Sequence, residues 1–190
     1  MGSWIGLSAL QQKNLFDAAM LSGSSYPNPS ETFMQKLLLK IEMFRLGKNG
    51  YSRLLHRIIF GGFNNRFQNT NTPNDWLSQD AERVEDYTND PLCGFIVTSS
   101  LWLDLCNGLM MIFKKDYYSH LNKDIPVLVM SGEYDAASSN SKLSQQLYKF
   151  LLTIFNNVTL KIVKGARHEV FTEVNKLSSY NYIINYIKQF

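Results

Sequence analysis

Apolar positions change their spacing near residue 124. Beyond it, short apolar runs alternate with helical periodicity: a strand over 126–131, a helix over 142–155, a strand over 158–163 and a helix over 173–189. Strands alternating with helices build a parallel sheet with helices on its faces. Near the start, residues 3–11 read as a short helix of small side chains, and Ala18 to Ser22 as a brief buried strand closing at Gly23. The strand at 18–22 is expected beside 126–131, and 126–131 beside 158–163, all parallel.

Between these flanks the period is helical. After the turn-rich run Ser24 to Ser30, Ser30 is expected to cap a helix over 31–47, with Glu31 in its first turn. Phe33, Leu37, Leu38, Ile41 and Phe44 recur along it, and Gly47 stops it. Leu54, Leu55, Ile58 and Ile59 mark a second helix, the Asn- and Thr-rich stretch 63–75 a loop, and Ser78 the cap of an acidic stretch over 79–88. A strongly apolar helix follows over 99–114. The expected fold is α/β: a core from residues 1–23 and 123–190, with an incomplete parallel sheet of about three strands, and a helical cap or lid region over 24–122.

Composition narrows the function classes. A chain of 190 residues, 45% hydrophobic and 18% charged, supports one globular core and not a disordered segment. Its 19 basic and 16 acidic side chains are scattered, so no nucleic-acid groove is expected. The apolar run from Leu101 to Phe113 is interrupted by Asp104 and Asn107 and is too short to span a bilayer. No basic segment precedes an apolar run at the start, so a cytoplasmic location is expected, with Cys93 and Cys106 as reduced, mostly buried thiols. His168-Glu169 is not followed by the second histidine of a zinc-protease motif, and no other cluster has metal-ligand spacing; neither metal nor cofactor is expected.

Two of the strands deliver titratable residues just past their ends. Ile125 to Ser131 leads to Asp135, and Val158 to Val163 leads to His168, 33 positions later. A strand, a crossover helix and a parallel strand return the chain to the same edge of the sheet, so the two residues fall in neighbouring loops. An aspartate there accepts the imidazole Nδ1–H and fixes the tautomer, leaving the other ring nitrogen for proton transfer. Each residue also has an ordinary reading, Asp135 as a turn residue or helix cap and His168 as a satisfied structural side chain. Their order and spacing together favour catalysis. His56 and His120 are expected to be structural or at the surface.

The chain resembles a family of serine α/β-hydrolases, the monoacylglycerol lipase, lysophospholipase and serine aminopeptidase S33-like group. Met1-Gly-Ser-Trp-Ile5 looks like the residues that follow the nucleophile in that family's Gly-His-Ser-Met-Gly-Ser turn, and Met20 to Ser25 like the next strand. Asp75-Trp-Leu-Ser78 and Asp90 to Phe95 resemble its cap, Ser131-Gly-Glu-Tyr-Asp135 its acid loop, and Gly165-Ala-Arg-His168-Glu its histidine loop. The resemblance implies a carboxylic-ester hydrolase acting on a monoacylglycerol or lysophospholipid-like lipid, with a peptide substrate as the alternative. His168 would be the base and Asp135 its partner. The helices at 31–47 and 99–114 would line an acyl channel.

In that alignment the nucleophilic serine falls immediately before Met1, and the backbone N–H of Met1 is an oxyanion donor only in a chain that continues upstream. Residues 1–190 alone are therefore expected to be inactive. Ser8, in Gly6-Leu-Ser8-Ala-Leu, is the nearest in-chain substitute but is expected inside a helix. The alternatives are a non-catalytic remnant or binding module of a split gene, or one half of a complementing pair with an upstream partner polypeptide. A strand at 18–22 left with an open edge would favour self-association or such a partner.

Overall fold

The computed structural model describes residues 1–12 and 15–190. Its helices are α1 (Gly2–Leu10), α2 (Pro29–Leu46), α3 (Arg53–Phe60), α4 (Ala81–Asn89), α5 (Ser99–Ile112), α6 (Lys142–Leu151) and α7 (Lys176–Ile187). Its strands are β1 (Ala19–Ser22), β2 (Val127–Gly132) and β3 (Val158–Val163). Among the described residues these form one parallel sheet in the order β1-β2-β3, with Leu21 opposite Val129 and Val129 opposite Leu160. All three strands lie where the apolar runs place them, to within a residue at each end.

β2 is buried along its whole length because both faces of a central parallel strand are covered. Its side chains alternate between two cores. Val127 and Val129 pack with Leu7 and Leu10 of α1, Leu109 and Ile112 of α5, and Leu147 and Leu151 of α6. Leu128 and Met130 pack on the other face with Val170 and with Tyr186 of α7. α2 to α5 all lie between β1 and β2 in sequence. Of these, α2, α3 and α5 close an apolar cluster of their own through Leu39, Leu55, Trp102 and Cys106. α5 belongs to both clusters, so it couples this helical insertion to the sheet.

Several local expectations are corrected. α2 starts earlier, because Asn28 is the cap: its Oδ1 accepts the Ser30 N–H at 3.0 Å, and Pro29 supplies a first helical residue that has no N–H to satisfy. Asp80, not Ser78, caps α4, its carboxylate accepting the Arg83 N–H at 3.4 Å. Ser78 Oγ instead accepts from the Asp80 N–H and donates to the Thr172 carbonyl. α6 ends at Leu151 and α7 begins at Lys176, each four or fewer positions inside its expected bounds.

The apolar stripe of α2 is also turned. Phe33, Leu37, Ile41 and Phe44 are exposed, Phe44 to 94%. The inward face carries Thr32, Leu39 and Glu42. Glu42 tolerates burial because Arg45 grips both carboxylate oxygens at 2.9 Å and the Ser52 hydroxyl donates to one of them. Cys106 is buried as expected; Cys93 is only half-buried, and neither is in a disulfide.

Candidate active site

The acid loop starts at the end of β2. Asp135 is fully buried, and its Oδ1 accepts the Ala137 N–H at 2.9 Å, capping the short turn Ala136–Ser138. The same oxygen lies 2.9 Å from Nδ1 of His168. Asp135 is therefore both a cap and the partner of the histidine. Ser131 Oγ approaches the second carboxylate oxygen at 3.5 Å and meets Ser138 Oγ at 3.2 Å. Burial pushes the Asp135 carboxyl up, but the hydrogen bond and charge of His168, with support from Ser138 and the Ala137 N–H, hold it net below the usual carboxylate value.

The histidine loop is fastened to the acid loop by backbone. The N–H groups of Glu133 and Tyr134 donate to the carbonyls of Val163 and Ala166 at 3.0 and 2.9 Å. Glu133 Oε2 accepts the Gly165 N–H at 2.8 Å. The approach is so close that a Cβ on Gly132 would stand 1.8 Å from the Arg167 carbonyl oxygen. On the far side, Gly23 ends β1 with a φ of +57°, and a Cβ there would come within 2.9 Å of His168 Cε1. Glycine at both positions leaves room for the loop and for the ring.

The helical insertion holds the same loop. Glu173, 1% exposed, accepts the Arg167 N–H at 2.6 Å and the Gln79 N–H at 3.1 Å. The Arg167 guanidinium donates to the carbonyls of Asp75 and Ser78 and stacks over Phe67. The Glu169 N–H donates to the Leu77 carbonyl at 2.8 Å, and the Trp76 ring lies 5.1 Å from the His168 ring. His168 is thus held on three sides, with its side chain 24% exposed. Its Nε2 makes no hydrogen bond among the described residues.

The His168 side chain also borders two cavities. A cavity of about 310 Å³ is lined by His168, Gly23 and the first residues of α1, Met1 to Ser3. A second, of about 410 Å³, runs from Met1 and His168 into the insertion, past Leu39, Leu55, Trp102 and Leu105. Met1 is the residue preceding the first turn of α1, its carbonyl accepting the Trp4 N–H at 2.9 Å. Ser8 lies within α1 and faces a different groove, between α1 and α5. His56 packs 5.0 Å from the Phe60 ring in α3, and His120 is exposed; neither lines the cavities at His168. Among the described residues no group of three metal-ligating side chains occurs.

The serine aminopeptidase S33 family model matches residues 1–175. The chain belongs to that family. Among curated proteins, none matches the chain in sequence. Solved structures supply the fold of this S33-family chain, which is that of the α/β-hydrolases. A thermostable carboxyl esterase from Bacillus coagulans, in complex with glycerol, superposes with a TM-score of 0.79 at 20% identity, over 97% of this chain and 59% of its own. A monoacylglycerol lipase from Paleococcus ferrophilus gives 0.64 at 18% identity, over 97% and 63%. A soluble variant of the Saccharomyces cerevisiae monoglyceride lipase, with a substrate analogue, gives 0.63 at 19% identity, over 98% and 60%. The S33-family chain therefore spans about three fifths of the length of these structures.

The sequence reading of this chain named the two polar partners and missed the scaffold around them. Gly23, Trp76, Gly132 and Arg167 lie within the strand end and motifs that the sequence marks, but with no role of their own, and nothing local marks Glu173. No helix among the described residues is long and apolar enough to cross a membrane.

Proposed function

We propose that Asp135 and His168 are the acid and base of a serine-dependent carboxylic-ester hydrolase, and that the serine is the residue preceding Met1 in the complete protein. The observation that carries this is the Asp135–His168 hydrogen bond at 2.9 Å, with Nε2 unengaged among the described residues and His168 lining a cavity that Met1 also lines. A residue joined to Met1 would lie in that cavity, at the start of α1. His168 Nε2 would take the proton from its hydroxyl, and the buried Asp135 would stabilise the imidazolium. The tetrahedral oxyanion would be held by the amide N–H of Met1 together with a donor from upstream residues. His168 would then return the proton to the leaving alcohol.

Residues 24–122 act in this reading as a cap over a core made of 1–23 and 123–190. The cavity of about 410 Å³ between them is apolar over most of its wall and suits an acyl chain. Monoacylglycerols and lysophospholipids are the favoured substrates, in keeping with the monoacylglycerol lipases among its structural neighbours. Residues 1–190 by themselves would bind such a lipid without hydrolysing it, because no acyl-enzyme forms without the serine.

The test is a chimera in which an upstream α/β-hydrolase segment ending in a nucleophilic serine is joined to Met1. This chimera is expected to hydrolyse medium-chain p-nitrophenyl esters, with kcat/KM falling at least about 1,000-fold in His168→Ala. Residues 1–190 alone are expected to match their own His168→Ala control. A folded chimera whose activity ignores His168 overturns the proposal.

A further inference from the structure

A cavity of about 750 Å³ in the helical insertion does not reach His168, shares only the walls Phe60 and Trp76 with the acyl cavity, and belongs to no step of the proposed reaction. α3 supplies one wall, with Arg53, Arg57 and Phe60, and segment 92–97 supplies another. Of the six arginines in the chain, Arg45 and Arg83 pair with carboxylates, Arg167 with backbone carbonyls and Arg66 with an asparagine side chain. The Arg53 and Arg57 side chains make no hydrogen bond or ion pair among the described residues. Four positions apart, they lie on one face of α3. No aspartate or glutamate lines the cavity with them.

The rest of the wall is mixed, with His56, Asn64 and Asn74 beside Trp76, Leu92 and Phe95. Leu92 is 79% exposed and Phe95 62%, both at this cavity, and Trp76 forms part of its lining. Large apolar side chains left at the mouth of a cavity mark a binding surface. Arg53 and Arg57 are the charged side chains of the lining, and both stand on α3, so the α3 end is electropositive. A guanidinium fork matches the paired oxygens of a carboxylate or phosphate, which a lone ammonium does not.

We propose that this cavity binds a single-chain amphiphile with an oxyanion head group, its carboxylate or phosphate held by Arg53 and Arg57 and its chain laid along Phe60, Leu92 and Phe95. The volume falls within the ordinary range of small-molecule sites, about 300–1,000 Å³. The site stands apart from the ester chemistry, since it holds neither Asp135 nor His168. Trp76 packs against the His168 ring and lines this cavity too, so an occupant would lie one side chain from that histidine.

The test uses residues 1–190 and needs no hydrolysis. Dodecyl phosphate, dodecanoate, dodecyl maltoside and dodecyltrimethylammonium are titrated calorimetrically below their micellar concentrations. Saturable binding is expected for the phosphate, the carboxylate or both, and which of the two binds assigns the head group. In R53Q/R57Q the affinity is expected to drop at least about 10-fold, while K36Q/K40Q leaves it unchanged. Leu92→Asp, at a solvent-exposed position, is expected to weaken the same ligands and keeps the test decisive if the arginine variant is unstable. Occupancy of the acyl cavity would be indifferent to Arg53 and Arg57, neither of which lines it. Equal binding of the maltoside or the ammonium amphiphile overturns the proposal, as does undiminished binding in R53Q/R57Q.

Discussion

Replacing Gly132 with alanine tests whether the close approach of the two loops is what brings Asp135 to His168. The added Cβ would stand 1.8 Å from the Arg167 carbonyl oxygen and 2.4 Å from that of Ala166, where real Cβ atoms keep at least 3.0 Å. The loops must therefore part by about 1.2 Å, the difference 3.0 − 1.8, and both obstructing atoms are backbone. Overpacking of this kind costs about 1–3 kcal/mol. The separation also stretches the bonds from Glu133 N–H to Val163 and from Tyr134 N–H to Ala166, each worth about 1 kcal/mol. A total loss of about 3–5 kcal/mol follows, read from urea unfolding of residues 1–190 by tryptophan fluorescence. Below the unfolding transition, the downfield proton resonance of His168 Nδ1–H is expected to disappear. Gly62→Ala is the control, because a Cβ there meets nothing within 4 Å. A Gly132→Ala protein that unfolds with the wild type and keeps the Nδ1–H resonance would refute the reasoning.

Asp135 has a depressed pKa, so its contribution to stability is present above its unfolded value, near 3.8, and is lost as pH falls through the lower folded value. The urea midpoint of the wild type is expected to fall below pH 4 more steeply than that of Asp135→Asn; parallel profiles would contradict the assignment. Glu173→Leu leaves the N–H groups of Arg167 and Gln79 without their acceptor and is expected to cost about 2–5 kcal/mol, measured by the same unfolding assay. β1 has no strand partner on its outer edge among the described residues, and Met20 there is 46% exposed. Residues 1–190 are expected to self-associate in light scattering after size exclusion, and Met20→Lys to reduce it; a stable monomer at high concentration would count against an open edge.

Legibility of the chain followed the strength of local patterns. The run Val127 to Met130 is apolar on both faces, which only a central parallel strand tolerates, so β2 and its neighbours were readable. Asp135 and His168 were readable because the strand–helix–strand spacing returns both to one edge of the sheet. α2 was misread in its orientation because periodicity finds a stripe without saying which side faces in. There Glu42 is buried, held by Arg45 and Ser52, and Phe44 is exposed, against the usual preference of each residue type. Ser78 was misread as a cap because Ser, Asp and Asn are equivalent signals locally, and Asp80 stands two positions later. Glu173 and Arg167 act on segment 75–79, about 90 positions away, and no local pattern encodes such contacts.

The central claim is that His168 activates a serine joined to Met1. The measurement that tests it most directly is peptide mapping of the adduct formed by a fluorophosphonate on the upstream-extended chain. The account predicts a single adduct on the serine immediately before Met1, lost in His168→Ala and strongly slowed in Asp135→Ala, and no adduct on residues 1–190 alone. An adduct on Ser8 or any other serine within residues 1–190 would contradict it.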